Sequence, residues 1–293
     1  MSFVPFVSVV QQQHMPILHA IVLGIVQGLS EFLPISSSGH LILVPKLFHW
    51  TELTCKGCES LNKTYDVALH IGTLVGAVAY FWRDIVRLVG AALTSIRQRA
   101  IETDDQRIVW LLVVSSIPGA AIGAVAESVI DKHLGIPWLI GVMLVVFGLV
   151  LYWADQRKGE REEHEWGVKD AVLMGAAQAC ALSPGVSRSG ATISMARGIG
   201  FTRDSAARLS FLMSLPITGG AVLFKSAKLF AGDGIPPGFR AAFVWGILAS
   251  AITGFAAVFF ILKLIRTRTF RPFVIYRVVA GLAVIVIFGT GLR

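Results

Sequence analysis

Gln27, Glu31, Ser36, Ser37, Ser38, Gly39 and His40 stand together inside an otherwise apolar stretch of this chain. A second stretch repeats the skeleton 151 residues later with Gln178, Ser187, Ser189 and Gly190, and adds Arg188 and Thr192. Carboxylate, hydroxyl, imidazole and guanidinium groups in one setting suggest phosphate chemistry. Glu31 follows Gln27 by four residues, so both fall on one helix face. A buried carboxylate without a partner costs on the order of several kcal/mol. Glu31 therefore reads either as a ligand for a hard divalent cation bridging phosphate oxygens or as half of a structural ion pair.

Ser36, Ser37, Ser38 and Gly39 offer hydroxyls and backbone amides to an anion; one serine is a candidate nucleophile, and capping a helix is the plainer alternative. His40 can activate a serine, protonate a leaving oxygen or attack phosphorus itself. Arg188 at membrane depth demands an anion, whether phosphate oxygens gripped by its planar fork or Glu31. Ser187, Ser189, Gly190 and Thr192 surround it as further binding groups. Gln27 and Gln178 either bond to each other across the repeat or serve as packing contacts. His70 and Arg277 also interrupt apolar runs. Both read as structural, with Arg277 snorkelling toward a helix end.

The groups that position these residues must be membrane helices. The 293 residues are 55% hydrophobic and 15% charged, with mean hydropathy +0.70; soluble domains average about 25% charged. The chain reads as one all-α integral membrane domain, 1–293. Its net charge of +8 fits loops facing anionic lipid, not nucleic acid. No basic n-region marks a cleavable leader. Of the three cysteines, Cys55 and Cys58 read as a loop disulfide or incidental thiols, and no second pair completes a zinc site.

Six runs are long enough to cross a bilayer: 65–82, 108–127, 137–154, 206–224, 241–262 and 272–291. Regions 16–45 and 168–197 are each interrupted, by Pro34 and Gly39 and by Pro184, Gly185 and Gly190, and read as re-entrant helix–loop–helix hairpins. A shift of 135 aligns Val109, Trp110, Ser115 and Gly119 with Val244, Trp245, Ser250 and Gly254. The chain thus reads as two copies of a hairpin plus three spans, about 16–154 and 168–291. Three is odd, so the copies are inverted. Loops 83–107, 155–169, 197–208 and 263–271 carry 16 of the 26 Lys and Arg, which places them in the cytoplasm. The hairpins then enter from opposite sides and meet near the midplane.

Glu31-Phe-Leu-Pro-Ile-Ser-Ser-Ser-Gly-His40 and Pro184-Gly-Val-Ser-Arg-Ser-Gly-Ala-Thr-Ile193 closely resemble the motifs of the bacterial undecaprenyl-pyrophosphate phosphatase family of the bacitracin-resistance type, and the likeness runs through nearly the whole chain after about residue 15. The resemblance implies an enzyme of the bacterial plasma membrane. It cleaves undecaprenyl diphosphate to undecaprenyl phosphate and phosphate, recycling the lipid carrier of peptidoglycan. It also implies Mg2+ or Ca2+ dependence and a site open to the extracytoplasmic side. Glu31 matches the family's acidic residue, Ser37 and His40 its serine and histidine candidates, Arg188 its phosphate-binding arginine. Many members carry a second glutamate where this chain has Gln27, a weaker ligand that can still bind through its carbonyl or support Glu31. The phosphatidic-acid-phosphatase superfamily needs a histidine after its Ser-Arg, and none follows Arg188.

These readings converge on hydrolysis, with a diphosphate between the hairpin tips and Ser37 attacking beside His40, or His40 itself as nucleophile. A transporter or flippase of the same lipid is the alternative, since inverted repeats with broken helices are carrier architecture.

Overall fold

The computed structural model describes residues 14–50, 52, 59–230 and 235–290. Cys55 and Cys58 lie outside them. Among the described residues the chain is helical: α1 Ile17–Phe32, α2 Ser37–Leu47, α3 Glu59–Tyr80, α4 Trp82–Gln98, α5 Asp104–Leu134, α6 Pro137–Asp155, α7 Val168–Cys180, α8 Arg188–Gly198, α9 Arg203–Phe230, α10 Arg240–Ile265 and α11 Arg271–Gly289. The β pairing described is a single isolated bridge, Arg161 with Phe201.

Among the described residues five helices are long and apolar enough to cross a membrane: Asp104–Ala126, Pro137–Asp155, Arg203–Ala227, Pro237–Ile265 and Arg271–Gly289. They coincide with five of the expected spans, and the protein is an integral membrane protein. The remaining expected span, 65–82, falls in α3 and across a break at Phe81. The opening turns of α3, with Asn62, Lys63 and Asp66, lower its hydropathy.

Small residues let the helices touch through their backbones, as expected where lipid supplies no hydrophobic drive for association. A Cβ on Gly24 would sit 2.5 Å from the Gly246 carbonyl oxygen, and one on Gly76 2.4 Å from that of Ala251. So α10 is clasped by α1 and α3. In the other half α7 meets α5 the same way, with a Gly175 Cβ 2.5 Å from Ser115 O, and α6 crosses α11 at Gly141 and Gly281. The two halves exchange partners: α1 packs on α10 while α7 packs on α5.

Both interrupted regions break where Pro34 and Pro184 stand. The chain leaves α1 at Leu33, whose extended backbone (φ −64°, ψ 139°) precedes the proline. It re-enters a helix through Ser36 at φ 76°; the second break ends at Ser187 with φ 73°. Non-glycine residues seldom adopt this region, and each costs about 1–3 kcal/mol. Gly39 and Gly190, expected to interrupt, are instead helical, in the first turns of α2 and α8. Their missing side chains leave room for neighbours: a Cβ on Gly190 would lie 2.9 Å from Arg277 Nη1.

Arg277 does not snorkel. It is fully buried and spreads its guanidinium over the carbonyls of both turns. Nη1 donates to Pro34 O at 3.0 Å, Nη2 to Gly185 O at 2.9 Å and Val186 O at 3.0 Å, and Nε to Leu144 O at 3.1 Å. Pro34 and Gly185 are themselves 151 residues apart. The turns also bond directly, Gly185 N to Ser36 Oγ at 3.0 Å and Ser189 Oγ to Leu33 O at 3.1 Å.

The four arginine-rich loops gather at one end. Asp155 accepts from Arg203 Nε at 2.5 Å and Phe270 N at 3.1 Å; Arg208 reaches Asp84 at 2.5 Å and Glu163 at 2.8 Å. With Arg266 on Asp204 at 3.2 Å, ion pairs link segments 83–107, 155–169, 197–208 and 263–271.

Replacing Arg277 by Met orphans carbonyls of both turns at once. Each buried unsatisfied group costs about 1–3 kcal/mol, so the variant should lose ~3 kcal/mol or more. Thermal unfolding of detergent-purified protein should show it as a large drop in Tm, and an unchanged Tm would contradict this role.

Candidate functional site

Glu31 ends α1, where the helix dipole is negative and a carboxylate is unwelcome without cations. The structure supplies them. Arg188, the first residue of α8, donates from Nη2 to Glu31 Oε1 at 3.0 Å. The other oxygen, Oε2, accepts from Ser37 Oγ at 2.6 Å and Gln27 Nε2 at 3.0 Å. His70 Nε2 lies 3.6 Å from the same oxygen. Its Nδ1 faces the Asp66 carbonyl at 2.7 Å. One buried carboxylate therefore joins the two broken regions, with a hydroxyl on one side and a guanidinium on the other.

The serines divide the remaining work. Ser36 Oγ accepts from the opposite turn, and Ser187 Oγ caps α8 by accepting from Gly190 N at 3.1 Å. Ser189 Oγ bonds back to α1, while Ser38 is half-buried and outside this network. Thr192 Oγ1 bonds Arg188 O at 2.8 Å and Ser210 Oγ at 2.6 Å, tying α8 to α9 just behind the arginine. Gly39 lets α2 approach Ile140, with a virtual Cβ only 3.1 Å from Ile140 Cγ2.

His40 is engaged elsewhere than on Ser37. Nδ1 donates to Ser36 O at 2.7 Å, which fixes the tautomer, so Nε2 accepts from the Tyr276 hydroxyl at 2.6 Å. The two rings stack at 5.7 Å with 16° between their planes. Gln27 and Gln178 do not bond to each other: Gln178 Nε2 points to Ser115 O at 3.5 Å. Both keep a buried Oε1 without a hydrogen-bond partner.

His70, structural by its place in the sequence, faces Glu31, and Tyr276 and Ser210, which no motif marks, join the network. A polar residue inside an apolar run was the available signal for His70. Tyr276 carries no such signal, because tyrosine is ordinary near membrane interfaces.

The donor set bears on a cation. Among the described residues no three His, Cys, Asp or Glu side chains converge. Glu31 and the partnerless Gln27 Oε1 are hard oxygen donors on successive turns of α1. Gln27 turns Nε2 and not Oε1 to Glu31, so the two would hold Mg2+ or Ca2+ together only with the amide reversed and with substrate oxygens and water completing the shell. A cavity of about 690 Å³ lies elsewhere, at the arginine-rich end beside Asp155, Arg203 and Arg266, and none of these site residues lines it.

The family model described as bacitracin resistance protein BacA matches residues 20–283. The chain is 46% identical over 274 residues to an undecaprenyl-diphosphatase of Pelotomaculum thermopropionicum, covering 93% of this chain and 97% of that one. It is 46% identical over 268 residues to one of Desulforudis audaxviator (91% and 96% covered) and 44% over 273 residues to one of Geobacter sulfurreducens (92% and 98% covered). The arginine–carboxylate–serine contact thus sits in the two motifs of a chain matched almost end to end, and that chain belongs to the bacitracin resistance protein BacA family.

Proposed function

We propose that the protein is an undecaprenyl-diphosphatase, a hydrolase that converts undecaprenyl diphosphate to undecaprenyl phosphate and inorganic phosphate and so returns the lipid carrier to peptidoglycan synthesis. The observation that carries this reading is Glu31 held between Arg188 and Ser37 where the two broken regions meet. The relatives' shared name supplies the substrate. The carrier alternative finds no support among them.

Ser37 is the favoured nucleophile because its proton already points at Glu31 Oε2. In the proposed step Ser37 Oγ bonds to the terminal phosphorus while its proton passes to Glu31. The bridging P–O bond breaks, and undecaprenyl phosphate departs with the electron pair. Water then cleaves the phosphoserine, and Ser37 regains a proton. His70, with Nε2 facing Glu31, is placed to exchange that proton onward. Arg188 exchanges Glu31 for phosphate oxygens, holding the charge that develops in transfer. Glu31 and Gln27 Oε1 would hold Mg2+ or Ca2+, which would neutralise diphosphate charge. With Nδ1 on Ser36 O and Nε2 on the Tyr276 hydroxyl, His40 is held off Ser37 and would position the turn that carries the serine. Ser36, Ser38, Gly39, Ser187, Ser189, Gly190 and Thr192 build the surrounding turns.

The proposed architecture is six spans and two re-entrant hairpins in one domain, as inverted repeats of about 16–154 and 168–291. Partner exchange between the halves and the matched backbone at Ser36 and Ser187 support it. The meeting of the arginine loops at one end supports a cytoplasmic face there. The protein would then lie in the bacterial plasma membrane with its site open to the opposite, extracytoplasmic side.

Phosphate release from undecaprenyl diphosphate by purified protein is the direct test; none at all would refute the hydrolase. Chelation should stop release and Mg2+ restore it, whereas Glu31→Gln should stay down by about 10²-fold or more whatever the cation concentration. Arg188→Lys keeps the charge but loses the fork, and kcat should fall about 10²–10³-fold.

Rapid quenching followed by mass spectrometry should find phosphate on Ser37. Phosphate on His40 would transfer the nucleophile's role to that residue. Tyr276→Phe should lower kcat with little change in KM and add nothing in a His40→Ala background. Independent, additive losses would show that the two side chains do not act together.

A further inference from the structure

Helix α4 carries three faces where a helix packed in a protein needs two. Leu88 and Ser95 are buried. Trp110 Nε1 donates to Ser95 Oγ at 2.8 Å, and Arg208 reaches Asp84 at 2.5 Å, so this face is fastened to α5 and α9. Trp82, Val86, Val89, Leu93 and Ile96 form a second face. They are 60, 53, 51, 64 and 58% exposed. At 100° per residue these five side chains fall within about 80° of arc. The third face holds Arg83, Arg87 and Arg97, and Arg99 follows at the helix end. Arg87 pairs with Asp84 at 3.0 Å and Asp105 at 2.8 Å.

Helix α4 is too short and too charged to span a bilayer. Yet a short turn, residues 99–103, joins it to the membrane-crossing stretch Asp104–Ala126, and it follows α3 after one residue, so it sits where protein, lipid and water meet. We infer that Trp82–Gln98 lies flat in the surface of one leaflet, its apolar face against acyl chains and its arginines among anionic lipid headgroups. The occupant follows from the order of the faces. Arg97 and Arg83 adjoin the apolar row, as a helix at an anionic interface requires, while Arg87 behind them pairs with Asp84 and with Asp105 of α5. A tryptophan opens the row, and its amphipathic ring suits the headgroup boundary. Segment 82–99 contains four Arg and one Asp, giving the sign that anionic lipid attracts. The inference is independent of the hydrolase reading.

The test uses full-length protein with its cysteines replaced by serine and phosphate release retained. Single nitroxide labels are placed at Val86→Cys, Val89→Cys, Leu93→Cys and, on the polar face, Thr94→Cys. The protein is reconstituted in phosphatidylcholine with or without phosphatidylglycerol. The first three labels should be relaxed by oxygen and shielded from a water-soluble nickel chelate, with the fourth reversed. Adding Arg83→Gln and Arg97→Gln should make the apolar-face labels shallower only where phosphatidylglycerol is present. Nickel access to positions 86, 89 and 93 would overturn the inference. So would shielding from both reagents, which would mean that a second copy covers the face. Unchanged depth in the arginine variants would overturn its headgroup half.

Discussion

A broken helix strands carbonyls without their helical partners, and in this protein one buried guanidinium answers for both breaks. Arg277 bonds the carbonyls of Pro34, Gly185 and Val186 from the middle of α11. Breaks of this kind are tolerated only when neighbouring elements satisfy the freed backbone groups. The same contacts fix the distance between the turns, because one planar fork cannot follow two loops that move apart. Close helix crossing at Gly141 and Gly281 then holds α11, and Arg277 with it, against α6.

That constraint is what makes the site. Ser36 and Ser187 take up strained left-handed backbone so that Ser37 and Arg188 begin their helices facing one another across Glu31. The carboxylate has no tolerable state by itself at the C-terminal end of α1. In the proposed reaction a phosphate would take the carboxylate's place on Arg188, so that an anion already sits where the substrate's would bind. Preorganised charge of this kind needs little rearrangement at the moment of reaction.

Much of this was legible in the residue order. Long apolar runs marked six crossing segments, five of which are apolar helices long enough to span, and Pro34 and Pro184 marked two breaks, since proline restricts the residue before it and forfeits a donor. Glu31 and Arg188 each called for an opposite charge because charges in an apolar setting require partners, and their mutual ion pair was one of the alternatives this left open. Gly39 and Gly190 were read as breakers and proved to be places of close approach; a missing side chain serves both ends, and only the neighbour's position tells which. The reading of Arg277 as a snorkelling residue failed for the same reason, since an arginine beside a helix end reaches water unless carbonyls are waiting inside.

By itself the sequence determined the class of protein, the polar groups that must be neutralised and the two segments that carry them, because hydropathy and the cost of bare charge are local properties. Which group neutralises which was decided only by tertiary structure. Ser37 turns to Glu31 and His40 to Tyr276, although Ser37 and His40 lie three residues apart on one helix. Hydrogen-bond partners are chosen by where α11 and α1 stand in space, and spacing along a single helix carries no record of that.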